Sequence, residues 1–318
     1  MLVLKAMGWM KRCDNGLKYG VCNWVVNPSQ GHALCGSCRM NRTIPDLDGA
    51  RNVALWGRME AAKRRLIYTL LSLGLTLPSR KEDPKTGLAF DIVSTTVNPT
   101  VTTGHLNGVI TVNLEEADDI YRQINQQQLG ESRRTLLGHF RHESAHYVWQ
   151  RFLSELTWEH PHRLAFRERF GDEWLDYAKA LSEHYERGVI TGWEKDFVSA
   201  YASSHPWEDW AETWAHYLEM VDGLETSEGL GIEISRIALP AERFAADAAS
   251  LPAYLEQSAE ADAAFLSKLQ QWISLSTVLN ELSTSFGEPS PYPFSISNNV
   301  AKKLRLVHYL AGVWGKGR

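Results

Sequence analysis

No cysteine follows Cys38, so the last 280 residues of this 318-residue chain hold no thiol. A secreted disulfide framework spreads its bridges through the fold, and this distribution excludes one. No apolar run approaches the roughly 20 residues that cross a bilayer. The opening MLVLKAMGWMKRC has neither an apolar leader core nor a small-residue cleavage site. The expectation is a cytoplasmic protein with no membrane partner. Nor is there a long block of one charge: the formal charge of -5 comes from interspersed residues, which excludes a chain-wide nucleic-acid surface. Internal repeats are absent as well.

With 44% hydrophobic residues, the chain can bury a substantial core in one large domain or two smaller ones. The first 48 residues are different. They carry Gly, Pro and Asn punctuation and too little apolar periodicity to fold by packing alone. All four cysteines lie there. Cys35 and Cys38 form CGSC, a knuckle whose thiolates can grip one zinc ion, and Cys13 with Cys22 completes a tetrahedral set. Eight residues separate the first pair, which leaves His32 as an alternative ligand. A redox role for CGSC would need an adjacent βαβ pattern, which this sequence lacks. Arg39, Arg42, Lys63, Arg64 and Arg65 make the region locally basic, so this module has a nucleic-acid or protein contact as one reading and a solvated face as the other.

Beyond residue 48 the periodicity is mostly helical. ARNVALWGRMEAAKRRLIYTLLSL spaces Val53, Trp56, Met59, Leu66, Ile67, Leu70 and Leu73 for one helical face, with Gly74 as its stop. LAFDIV and GVITVNL are β-rich runs around a turn-rich stretch with Asn107-Gly108, so a small sheet is expected over about 88–114. ESRRTLLGHFRHESAHYVWQRFL predicts a helix over about 132–154, with Ser132 available to cap it. EWLDYAKALSEHYERG predicts another closed by Gly188, and Pro206 opens one over about 206–222. Helix is also expected across FAADAASLPAYLEQSAEADAAFLSKLQQWISLSTVLNEL and NNVAKKLRLVHYLAGVW, with EPSPYPF as an extended loop between them.

HESAH, from His142 to His146, places two imidazoles one turn apart on one helical face, with Glu143 beside them. Two ligands leave a catalytic zinc site one short, so a third must come from another element. In YASSHPWEDWAETWAHYLEM, Glu208 and Glu212 are four residues apart on one face. One can bind the ion and the other can brace a ligand, and Glu208 as ligand with Glu212 behind it is the preferred order. The reverse order and His205 remain open, because helix phase is not legible in sequence. Tyr201 lies seven residues before Glu208 and could assist a developing oxyanion, or simply pack. Trp149, Trp207, Trp210 and Trp214 near these motifs are read as core.

HESAH followed by YASSHPWEDWAETWAHY resembles the gluzincin clan of metallopeptidases. More narrowly, CNWVV, CGSCRMNRTIPDL, RMEAAKRRLIYTL, HFRHESAHYVW, HPWEDWAETWAHYLE and the YPF tail resemble the bacterial zinc-binding metallopeptidases that carry an N-terminal zinc ribbon. That resemblance implies an α+β, predominantly helical fold: a zinc-ribbon-like module over 1–48 and a zincin-like metallopeptidase domain over 49–318. It implies one catalytic and one structural zinc and says little about the natural substrate. One departure is the further cysteine-bearing segment that such proteins tend to have ahead of Cys13, which this sequence does not display.

The expected activity is hydrolysis of a peptide or protein substrate, with Glu143 taking a proton from metal-activated water and passing it to the leaving amine. GVITVNL is the candidate edge strand for an extended substrate. A zinc-stapled adaptor without turnover is the competing class, and hydrolysis of a non-peptide amide is a third reading.

Overall fold

The computed structural model describes residues 10–237 and 244–316, so the reading of residues 1–9 as no leader lies outside the described residues. The chain divides into two compact units, residues 1–72 with 76–150, and residues 73–75 with 151–318.

The first unit begins with a small ribbon, β1 (Lys11–Arg12) antiparallel to β2 (Val25–Val26), and two short helices, α1 (Asp14–Lys18) and α2 (Gly36–Arg39). Its interior is Cys13, Cys22, Val26, Cys35 and Cys38, with Trp24 and Leu34 packed against them. Apart from the thiols there is almost no core, as the composition predicts. β3 (Asn41–Thr43) then leaves the ribbon and pairs in parallel with β4 (Ala89–Val93). Between them runs α3 (Ala50–Ser72), burying Trp56, Met59, Leu66, Ile67 and Leu70 of the expected face and also Leu55, with Val53 only half-buried, and ending before Gly74 at φ 82°.

β5 (Gly104–Leu106) and β6 (Val109–Asn113) complete a four-stranded sheet in the order β3-β4-β6-β5. Asn107 and Gly108 both have positive φ, 49° and 80°, the geometry of a tight hairpin turn. β4 and β6 are parallel and almost wholly buried, which accounts for their near-continuous apolar character. β6 therefore corrects the edge-strand expectation: it pairs with β4 on one side and β5 on the other, and the outer strands are β3 and β5. The turn-rich stretch held a strand too short and too polar to register as one.

α4 (Asp119–Leu129) is capped by Asp118, which accepts from Ile120 N at 3.0 Å. α5 (Leu136–Phe152) is the motif helix, and its Phe140 ring lies 5.9 Å from Phe90 of β4. It starts later than predicted. Thr135, not Ser132, accepts the Gly138 amide, at 2.9 Å, because the 131–135 segment is still turning after α4.

Among the described residues the second unit is helical, with no strand: α6 (Pro161–Phe170), α7 (Tyr177–Arg187), α8 (Pro206–Gly229), α9 (Ala259–Ser285) and α10 (Asn298–Lys316), joined by short 3-10 turns. α8 packs against α6, α9 and α10 around Phe166, Trp210, Trp214, Leu218, Leu304 and Val307. α7 begins at Tyr177, four residues after the predicted start, since Asp176 caps it by accepting from Lys179 N at 3.0 Å. Residues 250–258 form a loop with a turn in which the Leu255 amide donates to the Pro252 carbonyl at 2.9 Å, so helix resumes only at α9, capped by Ser258. No helix among the described residues is long and apolar enough to cross a membrane.

Candidate metal centres

The four cysteine Sγ atoms lie within 4.8 Å of one another and every cysteine is at most 2% exposed. α2 supplies the knuckle: the Cys35 amide donates to Cys13 Sγ at 3.3 Å, and Cys22 Sγ is 3.7 Å from Cys35 Sγ. His32 is exposed and outside the cluster, so the site is all sulfur. Burial pushes the Cys22 thiol up to about 11. The Cys35 thiol, burial and the Glu60 carboxylate push Cys38 higher still. Four thiolates can coexist in so enclosed a place only around a cation, and the donor set fits tetrahedral zinc.

Beneath the cluster sits a buried polar network. Glu60 accepts from Asn41 Nδ2 at 2.7 Å, Trp56 Nε1 at 3.2 Å and Lys63 Nζ at 2.7 Å, and Cys38 Sγ is 3.8 Å from its Oε2. Lys63 also donates to Asn41 Oδ1 and lies 5.3 Å above the Phe90 ring, while Arg64 donates to the Val21 carbonyl at 2.7 Å. This removes Lys63 and Arg64 from the basic surface expected of the region. Lys63 is fully buried and Arg64 nearly so, since the α3 face that carries them turns toward the cysteine module. Arg42 is engaged with Asp91 and Arg39 with Glu82.

His142 and His146 stand on successive turns of α5, ring centroids 5.1 Å apart and planes at 75°, both half-buried. Glu143 between them is 9% exposed. Their spacing suits two imidazoles chelating one ion. A third histidine that the sequence did not single out stands in the same unit. His105 of β5 accepts the Gly108 amide at 3.1 Å through Nε2, and its ring lies 6.2 Å from Tyr147. Burial, then the His146 imidazole, push its pKa down to about 3, so it stays neutral. Its only sequence signal was a position just before the hairpin turn.

In the second unit the start of α8 carries the other predicted residues. His205 is the N-cap, its Nδ1 accepting from Trp207 N at 3.0 Å, and Pro206 takes the first helical position. Glu208 is 1% exposed, and its Oε1 accepts from the Tyr177 hydroxyl at 2.8 Å. Glu212 accepts from Ser199 Oγ at 2.7 Å. Tyr201, in the turn Tyr201–Ser204, is held far above its usual range by burial and then by the Glu208 carboxylate, so it can only be a proton-bearing phenol. Burial pushes Asp209 up to about 7, opposed by Lys303 Nζ at 2.5 Å. Trp149, Trp210 and Trp214 are buried, with Trp207 half-buried.

Residues 52–310 match the family described as "Putative zinc-binding metallo-peptidase", and residues 3–49 match a family described as "zinc-ribbon domain". The chain belongs to the former family and carries the latter at its N-terminal end. Uncharacterized proteins of Mycobacterium bovis and of two Mycobacterium tuberculosis strains are 38% identical over 308 residues, 97% of this chain and 84% of each relative. No solved structure matches.

Proposed function

We propose that this chain is a zinc-dependent metallopeptidase of the gluzincin type, in which His142, His146 and Glu208 hold the catalytic zinc and Glu143 is the general base. The observation that carries the reading is the pair of adjacent imidazoles on α5 with a buried carboxylate between them, in a chain of zinc-binding peptidase family. Two histidines and one glutamate are a donor set of catalytic zinc sites, which keep a coordination position open. Glu208 suits the third place because it is buried and hydrogen-bonded in the first turn of α8, while Glu212 is the bracing carboxylate. Cys13, Cys22, Cys35 and Cys38 hold the structural zinc. The corresponding division is a zinc-ribbon module over 1–48 and a peptidase domain over 49–318.

Zinc bound there supplies a water of lowered pKa and a Lewis acid for the scissile carbonyl. Glu143 accepts the proton from the attacking water and hands it to the departing amine. Tyr201, kept protonated by its surroundings, donates to the oxyanion. An extended peptide pairs with β5, one of the two outer strands of the four-stranded sheet, so recognition is largely through main chain.

The test is cleavage of an unstructured protein such as casein. Turnover is abolished by a chelator, restored by zinc and absent in Glu143→Gln, which still binds the ion. Full turnover by Glu143→Gln removes the assigned base. An adaptor without turnover is the outcome if zinc-loaded protein cleaves nothing.

A further inference from the structure

Two tethers join the first turn of α8 to the segment that opens α7. His205 Nδ1 accepts the Trp207 amide, so the ring proton is on Nε2, which donates to the Leu175 carbonyl at 3.1 Å. Two residues on, the Tyr177 hydroxyl donates to Glu208 Oε1 at 2.8 Å. The Tyr177 ring meets His205 edge-on, centroids 5.1 Å apart, and lies tilted 6.2 Å from Trp207. The direction of the phenol is therefore set by packing against the cap residues as well as by its hydrogen bond. Although no residue of α7 is buried, the helix engages the α8 carboxylate at this entry point.

A carboxylate can meet a metal through one oxygen or both. An O–H donor held on one oxygen draws its lone-pair density away and favours coordination through the other. Glu208 sits at the third position of α8, where an acidic side chain commonly folds back onto the N-cap amide. Here its Oε1 accepts from Tyr177.

We propose that Tyr177 is a positioning residue for the metal site: by occupying Oε1 of Glu208 it directs Oε2 to the ion and keeps the carboxylate in a one-oxygen mode. This rests on the reading of Glu208 as the third ligand. Outer partners of metal ligands typically contribute about 10–100-fold in metal affinity, and that is the size expected here.

Tyr177→Phe keeps the ring against His205 and Trp207 and removes only the hydroxyl. Its zinc affinity at the second site, measured by chelator competition on the full chain, should fall about 10–100-fold with far-UV circular dichroism unchanged. Cobalt-substituted Tyr177→Phe should have weaker visible bands than the cobalt-substituted parent, because two-oxygen coordination adds a ligand. The cysteine site contributes equally to both spectra and cancels in the difference. Glu208→Gln, the control for the underlying reading, should lower the content from about two zinc ions per chain to about one. If Glu208→Gln loses the ion while Tyr177→Phe matches the parent in affinity and cobalt spectrum, the positioning role is overturned and the ligand stands. If Glu208→Gln keeps both ions at parental affinity, the ligand assignment falls and the positioning role with it.

Discussion

The cysteine module and the α5 histidine pair are built on opposite plans. The four thiols come from 26 consecutive residues and are each at most 2% exposed, whereas His142 and His146 are half-buried and stand on the long helix of a packed sheet. A closed sulfur cage has no room for a substrate, and its binding energy goes into holding together a segment with almost no other core. The half-exposed imidazoles are not what holds their helix in place, because Phe140, Val148 and Trp149 already secure α5. The contrast between four enclosed thiols and two half-exposed imidazoles yields tests of decreasing size.

The largest effect belongs to the cage. Structural zinc in small modules is worth about 10–16 kcal/mol, as much as a whole domain's stability. Cys38→Ser should lose one zinc per chain and the cooperative melt of the first unit. His146→Ala should also lose one zinc but melt within a few degrees of the parent. Equal destabilisation of the two variants, read by calorimetry alongside metal analysis, would erase the contrast.

Next comes chemistry without structure. Glu143→Gln should reduce kcat/KM by about 10²–10⁴-fold, the usual scale of a general base, at unchanged zinc content. A third test concerns the join between cage and helix. Glu60→Ala leaves Lys63 buried without its carboxylate, a change that costs about 3–5 kcal/mol, and should speed zinc release from the cysteine site to a chromogenic chelator. A release rate equal to the parent's would mean the network under Cys38 plays no part in retaining the metal.

The smallest effect lies away from both sites. His308 is pushed down to about 4 by burial and then by Lys268 and Arg305, and its Nδ1 is 2.9 Å from the Tyr217 hydroxyl, with the Phe265 ring beside it. The unfolded chain takes up this proton near pH 6.5 while the folded one resists until about 4. Stability should therefore erode as the pH falls through that window. His308→Gln should flatten that part of the melting-temperature profile, and an unchanged slope would assign the acid sensitivity elsewhere.

Much of this was legible because it depends on short spacings. CGSC and HESAH each bring two donors together through local backbone geometry alone, and the Pro206 start, the Gly74 stop and the buried face of α3 follow from local rules. Misreadings fell where packing and turn geometry, and not periodicity, set the environment. Lys63 and Arg64 looked like surface charge until Glu60 and Val21 closed over them. β6 looked like an edge until the short β5 folded back on it. Thr135 displaced Ser132 as cap because the chain was still turning out of α4.

The sequence by itself determined which donors exist, which of them share a helical face, and that the first 48 residues have too little apolar periodicity to build a core of their own, since composition and spacing act within a few residues. Only the tertiary structure decided that the cage is all sulfur, that Lys63 and Arg64 face inward, and that a tyrosine 31 residues upstream hydrogen-bonds to the Glu208 carboxylate. Such contacts depend on how elements pack, and no local rule encodes them.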